Sequence, residues 1–129
     1  MSTTTGNASL KGRTATAEQA AASIRDGTTI AMSGYAMAGY PKAVPEALVQ
    51  RRSNGEDLSF GLITGANVPW LDDTLGAESI ISRRAPMVAS RTRAVQANNG
   101  SLSYVEQQMS KMPRLLRSRR FGAIDVAVV

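Results

Sequence analysis

The chain has 129 residues, the size of one ordinary domain, and 43% of them are hydrophobic, yet no run approaches the roughly 20 apolar residues that a membrane-spanning helix needs. It contains neither cysteine nor histidine, which excludes disulfides, thiolate metal sites and every Ser-His or Cys-His arrangement, so any chemistry rests on carboxylates, lysine, hydroxyls or backbone. The net charge of +5 and a pI of about 10.2 suit a phosphate-bearing partner: nucleic acid, a nucleotide cofactor or an anionic surface.

Residues 1–16 are rich in Ser and Thr and lack acid, with Lys11 and Arg13 the basic residues, and they read as a disordered tail ahead of a domain over 17–129. No apolar secretory core is present, and the shortage of acid is a weak transit-peptide signal, so a cytoplasmic location is expected with a mitochondrial one as the weaker alternative. Thr16 with Gln19 forms a capping box, and Ala17, Ala20, Ala21 and Ile24 then share one helical face before Gly27 stops the helix. Thr28 to Ser33 reads as a buried strand. A loop bracketed by Gly34 and Gly39 follows, and Pro41 suits the first position of a helix that turns Val44, Ala47 and Leu48 inward and ends at Gly55. Pro45 inside that run is expected to delay the regular helix by a turn.

Leu58 to Thr64 is a second strand, closing on Gly65, and Asn67 caps a short helix through Leu75. Ser79 to Ser82, Leu102 to Val105 and Ala123 to Val129 read as three further strands. Helices fall over Ser90 to Ala97, ended by Asn98-Asn99-Gly100, and after Ser110, which is expected to cap a helix with Met112, Leu115 and Leu116 inward and Pro113 in its first turn. Strands alternating with helices argue for an α/β domain with a largely parallel sheet and helices on both faces. Both glycine turns fall at the carboxyl ends of strands, where such sheets bind ligands.

The strand, glycine loop and helix mouth place bare N–H groups beside a positive helix end, a setting for an anion or a polarised carbonyl oxygen. Gly34-x4-Gly39 is not a P-loop, because Tyr40-Pro41 stands where Lys-Ser/Thr is required, and no Gly-x-Gly-x-x-Gly occurs. The plain alternative is a tight βα turn relieved by glycine. Lys42, just past the loop, could approach a phosphate or a carboxylate; a solvated first-turn lysine is the commoner case. The arginine clumps Arg51/Arg52, Arg83/Arg84, Arg91/Arg93 and Arg114/Arg117/Arg119/Arg120 read mostly as solvated helix ends.

The order Asp26-Gly27, three apolar residues, Ser33-Gly34-Tyr35, Gly39 and Pro41 resembles the amino-terminal motif of the family I coenzyme A transferases. Ser33 to Leu48 looks most like the acetyl-CoA hydrolase/transferase branch, which includes acetate, succinate and propionyl-CoA transferases. Leu62-Ile-Thr-Gly-Ala66, Arg84-Ala-Pro86, Asn99-Gly100 and Phe121-Gly-x-Ile-Asp-Val-Ala-Val128 agree in order, so the resemblance runs from about Thr16 to Val129. It implies a Rossmann-like (NagB/RpiA-like) CoA-transferase domain, expected to be truncated after the fifth strand. It implies a substrate and CoA-binding loop made of Ser33, Gly34, Tyr35, Ala38, Gly39, Lys42, Thr64, Gly65 and Ala66. It implies coenzyme A or acyl-CoA as substrate, with no cofactor or metal bound permanently, and a small carboxylate as the second substrate.

In the family a glutamate carboxylate attacks the thioester and passes through an acyl-glutamyl anhydride to a glutamyl-CoA thioester. That glutamate lies in a later motif, beyond Val129. Glu18, Glu46, Glu56, Glu78 and Glu106 read as helix-start or solvated charges, so no catalytic residue is expected in this chain. Gln108 stands where relatives often carry histidine. A second chain or a missing C-terminal segment is therefore expected to carry the glutamate, with an oligomer as the complete form and no membrane partner. The alternative, from charge alone, is a non-catalytic basic nucleotide- or RNA-binding module, which the 5% aromatic content disfavours.

Overall fold

The structure, a computed structural model, describes residue 12 and residues 14–65, 68–77, 80–85 and 91–129. Helices and strands alternate along it: α1 Ala17–Ala22, β1 Thr29–Met32, α2 Ala43–Ser53, β2 Phe60–Thr64, α3 Pro69–Ala77, β3 Ile81–Ala85, α4 Arg91–Asn98, β4 Ser103–Tyr104, α5 Met112–Arg117 and β5 Val126–Val128. A 3-10 turn, Met109–Lys111, leads into α5. The expectations for the tail before residue 12, and for Ala66, Asn67, Glu78, Ser79, Pro86 and Ser90, lie outside the described residues.

Short-range chemistry sets most of the boundaries. The Thr16 hydroxyl accepts the Gln19 amide at 3.2 Å, and the Gln19 side-chain oxygen accepts the Thr16 amide at 2.9 Å, so the capping box starts α1. Asp26-Gly27 ties two strand starts together: Asp26 Oδ1 accepts the Ser59 amide at 2.8 Å, and the Gly27 amide donates to the Ser59 carbonyl at 2.8 Å. Asp125 does the same for β5, accepting the Thr29 amide at 2.8 Å while its own amide donates to the Thr29 carbonyl at 2.9 Å. Two pieces of the sequence pattern are thus strand clamps.

Several boundaries differ from the sequence reading. Pro41 is not the first helical residue; α2 begins at Ala43, with Lys42 at its N-cap. Pro45 does not delay the helix, because it falls in the first turn, where amides have no helical partner anyway. Ser110 caps nothing; it lies in the 3-10 turn, and Lys111 precedes α5 without a side-chain cap. Pro113 does sit at the start of α5. β1, β2, β4 and β5 are shorter than the apolar runs, since ladder pairing ends them, and β4 is two residues, both exposed; β3 instead runs on past Ser82 to Ala85, because Arg83, Arg84 and Ala85 pair with β2.

All pairings are parallel, in the order β4-β3-β2-β1-β5. The chain steps from β1 to β4 in one direction, then returns past β1 to lay down β5. Right-handed crossovers therefore put α2, α3 and α4 on one face and α5 on the other. The first face carries the main core, where Ile30, Met32, Phe60 and Leu62 meet Ala21, Ile24, Leu48, Leu71 and Leu75. A smaller cluster on the second face joins Ile63 and Ala85 to Met112, with Leu115, Leu116 and Phe121 beside it. The reversal of direction lies between β1 and β5, and the glycine loop leaves the sheet there.

Candidate functional site

The loop is built outward from the end of β1. The Ser33 amide donates to the Val128 carbonyl at 2.9 Å, fastening the loop base to β5, and the Ser33 hydroxyl donates to the Gly39 carbonyl at 2.8 Å, closing the loop across its neck. Tyr35 and Ala38 exchange amide-to-carbonyl bonds of 3.0 Å each, a two-residue hairpin turn with Ala36 at φ +50°. Tyr35 and Met37 stand out from it, 74% and 71% exposed.

This corrects part of the expectation of bare amides: those of Ser33, Tyr35 and Ala38 are bonded within the fold. The amides of Gly34, Ala36, Met37 and Gly39 donate to no carbonyl among the described residues. The two loop glycines also serve different ends. A Cβ on Gly34 (φ +134°) would lie 2.9 Å from Tyr40 Cβ and 2.9 Å from Val68 Cγ2, so this glycine is required by the packing beneath the loop. A Cβ on Gly39 would meet nothing within 4 Å, and its φ of +64° alone favours glycine.

Thr64 is buried at the carboxyl end of β2. A Cβ on Gly65 would lie 3.7 Å from the Gly34 carbonyl oxygen, so the turns after β1 and β2 come together at one rim. Ala66 lies outside the described residues. Lys42 is exposed, with its ammonium 5.5 Å from the centre of the Tyr40 ring. On that ring Trp70 stacks, with centroids 5.3 Å apart and an interplanar angle of 27°. Sequence reasoning missed Val68 and Trp70 as loop supports. An apolar residue and an aromatic beside Pro69 were the available signal, but nothing local pairs them with Gly34 or Tyr40.

Glu18 is held below the usual range by its own backbone amide and by the Thr16 hydroxyl, and Glu56 by its hydrogen bond from Arg51. Glu46 is in the first turn of α2, and Glu106 is exposed in the segment before the 3-10 turn. The arginine clumps separate on inspection. Arg51 binds Glu56 at 2.6 Å and also donates to the Ala21 and Ile24 carbonyls, and Arg52 pairs with Asp57 at 2.7 Å. Arg83 and Arg84 lie on β3 rather than at a helix end, and Arg91 and Arg93 open α4 instead of closing it.

A parallel sheet with a glycine loop at its switch point defines a Rossmann-like α/β protein, a class whose ligands bind at the carboxyl rim of the sheet. Comparison with known proteins places it further. The chain belongs to the acetyl-CoA hydrolase/transferase family: the model for the acetyl-CoA hydrolase/transferase N-terminal domain matches residues 7–129. It is 34% identical over 119 residues to the propanoyl-CoA:succinate CoA transferase of Escherichia coli, a match covering 88% of this chain and 24% of that protein. It is 30% identical over 128 residues to the succinyl-CoA:acetate CoA-transferase of Clostridium kluyveri, covering 95% and 23%. The chain thus spans about a quarter of the length of these relatives. RipA from Yersinia pestis shares its fold at a TM-score of 0.65 and 23% identity, over 88% of this chain and 27% of that one. A variant of the decarboxylase AibA/AibB does so at 0.64 and 24%, over 83% and 43%. These relatives lend no support to the RNA- or nucleotide-binding module. No helix among the described residues is long and apolar enough to cross a membrane.

Proposed function

We propose that this chain is the amino-terminal part of an acyl-CoA hydrolase or CoA transferase and supplies the backbone that receives the thioester carbonyl. The observation that carries the reading is the position of the Ser33–Pro41 loop: it is exposed at Tyr35 and from Met37 to Gly39, it lies at the sheet's switch point, and its tip amides carry no internal bond among the described residues. Amide donors fixed in this way stabilise the oxyanion of a tetrahedral intermediate without reorganising.

The reaction is covalent catalysis by a glutamate from outside these 129 residues. Its carboxylate adds to the thioester carbonyl and expels CoA thiolate, leaving an acyl-glutamyl anhydride. The thiolate returns to the glutamyl carbonyl, releasing the acyl group as a free carboxylate and leaving glutamyl-CoA. A second carboxylate, of the acetate, succinate or propionate type, then collects CoA by the reverse steps; water in its place gives hydrolysis. Tyr35, Ala38, Lys42, Thr64, Gly65 and Ala66 belong to the surroundings of this site in the reading, and Ser33, Gly34 and Gly39 hold its shape.

The test is CoA transfer from propanoyl-CoA to succinate. The isolated chain gives no turnover. A chimera in which the chain replaces the matching stretch of the Escherichia coli transferase turns over, and Gly39→Val lowers its kcat by about tenfold or more by tilting the loop amides. Turnover by the isolated chain, or an unchanged kcat in Gly39→Val, would refute the reading.

A further inference from the structure

The two faces of the sheet are covered unequally. Four helices lie over or beside the first face. Among the described residues the second has the six-residue α5, which covers Ile63 and Ala85 near β2 and β3. Toward β1 and β5 the cover stops: Ala31 is half-buried, and Ala127, its register partner, is exposed. Parallel strands are ordinarily buried on both faces.

Beside α5 the second face holds a cavity of about 330 Å³, lined by Thr29, Gly61, Ile63, Arg83, Arg120 and Phe121 among others. Its polar part is preorganised. An irregularity in the β2–β3 register places Arg83 opposite Gly61 instead of continuing the alternation from Ile81. The absence of a side chain at Gly61 lets the guanidinium lie across the strand: a Cβ there would be 3.3 Å from Arg83 Nε and Nη2. Nη2 donates to the Thr29 hydroxyl at 3.2 Å. Neither Arg83 nor Arg120 has a carboxylate partner among the described residues, whose ion pairs are Arg51–Glu56 and Arg52–Asp57.

We propose that this face is the seat of a further polypeptide segment, which packs apolar side chains on Ala31, Ala127 and Phe121 and sets a carboxylate between Arg83 and Arg120. The proposal rests on the functional reading above: the segment belongs to the part of the transferase that carries the glutamate. Charge selects this occupant over a second copy of the chain. A two-fold contact through this face would set the patch that carries Arg83 and Arg120 against the same basic patch, on molecules of net charge +5. A segment with a carboxylate and an apolar side answers both features of the cavity.

The chain has no cysteine, so a single introduced thiol reports its surface cleanly. Ala127→Cys probes the seat, and Ser53→Cys, at the exposed end of α2, probes the opposite side. Both thiols react with iodoacetamide at similar rates in the isolated chain. In the chimera with the Escherichia coli transferase, read by mass spectrometry of the labelled peptides, the Ala127→Cys thiol slows by about tenfold or more while the Ser53→Cys thiol is unchanged. Arg83→Met with Arg120→Met, which keeps the stems and removes the charges, returns the seat thiol to within about threefold of its rate in the isolated chain, whereas Arg117→Met does not. Undiminished reactivity of the seat thiol in the chimera overturns the proposal, as does protection that survives loss of both charges, or a chimera with the unaltered chain that does not fold. Protection of the seat thiol in the concentrated isolated chain, released on dilution, assigns the face to a second copy and also overturns it. Protection without CoA transfer refutes the functional reading and leaves the seat standing; transfer with an unprotected seat thiol does the reverse.

Discussion

Gly34→Ala tests whether the loop is shaped by what lies under it. The new methyl carbon would stand 2.9 Å from Tyr40 Cβ, 2.9 Å from Val68 Cγ2 and 3.4 Å from Tyr40 Cα. Two of these neighbours are backbone or the first side-chain carbon, and Val68 is fully buried, so none can swing away. Overpacking of this kind costs about 1–3 kcal/mol, and a non-glycine residue forced to φ +134° costs a similar 1–3 kcal/mol. The expected loss is therefore about 2–6 kcal/mol. Gly39→Ala is the internal comparison: its φ of +64° is strained, its surroundings are open, and about 1–2 kcal/mol is expected. Urea unfolding of the 129-residue chain reads both. Val68→Ala, which removes the clashing Cγ2 methyl, should recover about 1 kcal/mol of the Gly34→Ala loss in a double-mutant cycle. A Gly34→Ala variant no less stable than Gly39→Ala, or one with no coupling to Val68, refutes the packing argument.

Three further outcomes are expected. Arg51→Met strips the Ala21 and Ile24 carbonyls of their donor and detaches the end of α1 from α2, lowering stability by about 1–3 kcal/mol in the same unfolding assay; a loss near zero would show that the bracket is idle. The Glu56 carboxyl is held below its ordinary 4.5 by the Arg51 hydrogen bond, so its contribution is present above that value and fades as pH falls through the lowered one. Thermal melting of wild type should therefore fall more steeply than that of Arg51→Met on acidification below about pH 4.5, and parallel curves would contradict this. Lys42→Met removes a cation held over the Tyr40 ring, a contact worth about 0.5–1 kcal/mol, and in the chimera it should leave KM for propanoyl-CoA within about twofold. A rise of tenfold or more would return Lys42 to the role of a phosphate or carboxylate ligand.

The architecture was legible because its signals are short-ranged. The capping box at Thr16, the glycine stop at Gly55 and the apolar runs of β1 and β2 act through neighbours a few residues away, and they set the alternation of helix and strand in the right order; Gly27 is not such a stop, since α1 already ends at Ala22 with Ser23 as its cap. The loop at Ser33–Pro41 was legible for the same reason, since glycine and proline write their backbone demands locally. Boundaries were less so. That α2 opens at Ala43, between two prolines, depends on how the loop returns from its hairpin, and the length of β4 depends on how far β3 runs beside it.

What residues 33–41 rest on was not legible at all. Gly34 looks like a place where backbone meets a ligand, but its Cβ position is filled by Tyr40 and by Val68, 34 positions along the chain. Arg83 looks like one of a solvated pair, until the β2–β3 register turns it onto Gly61. Asp26 and Asp125 look like parts of a functional signature and prove to be clamps on strands β2 and β1. Local chemistry decides which conformation a segment prefers; which side chain occupies a given space is decided by pairing between distant segments, and that information exists only once the sheet has closed.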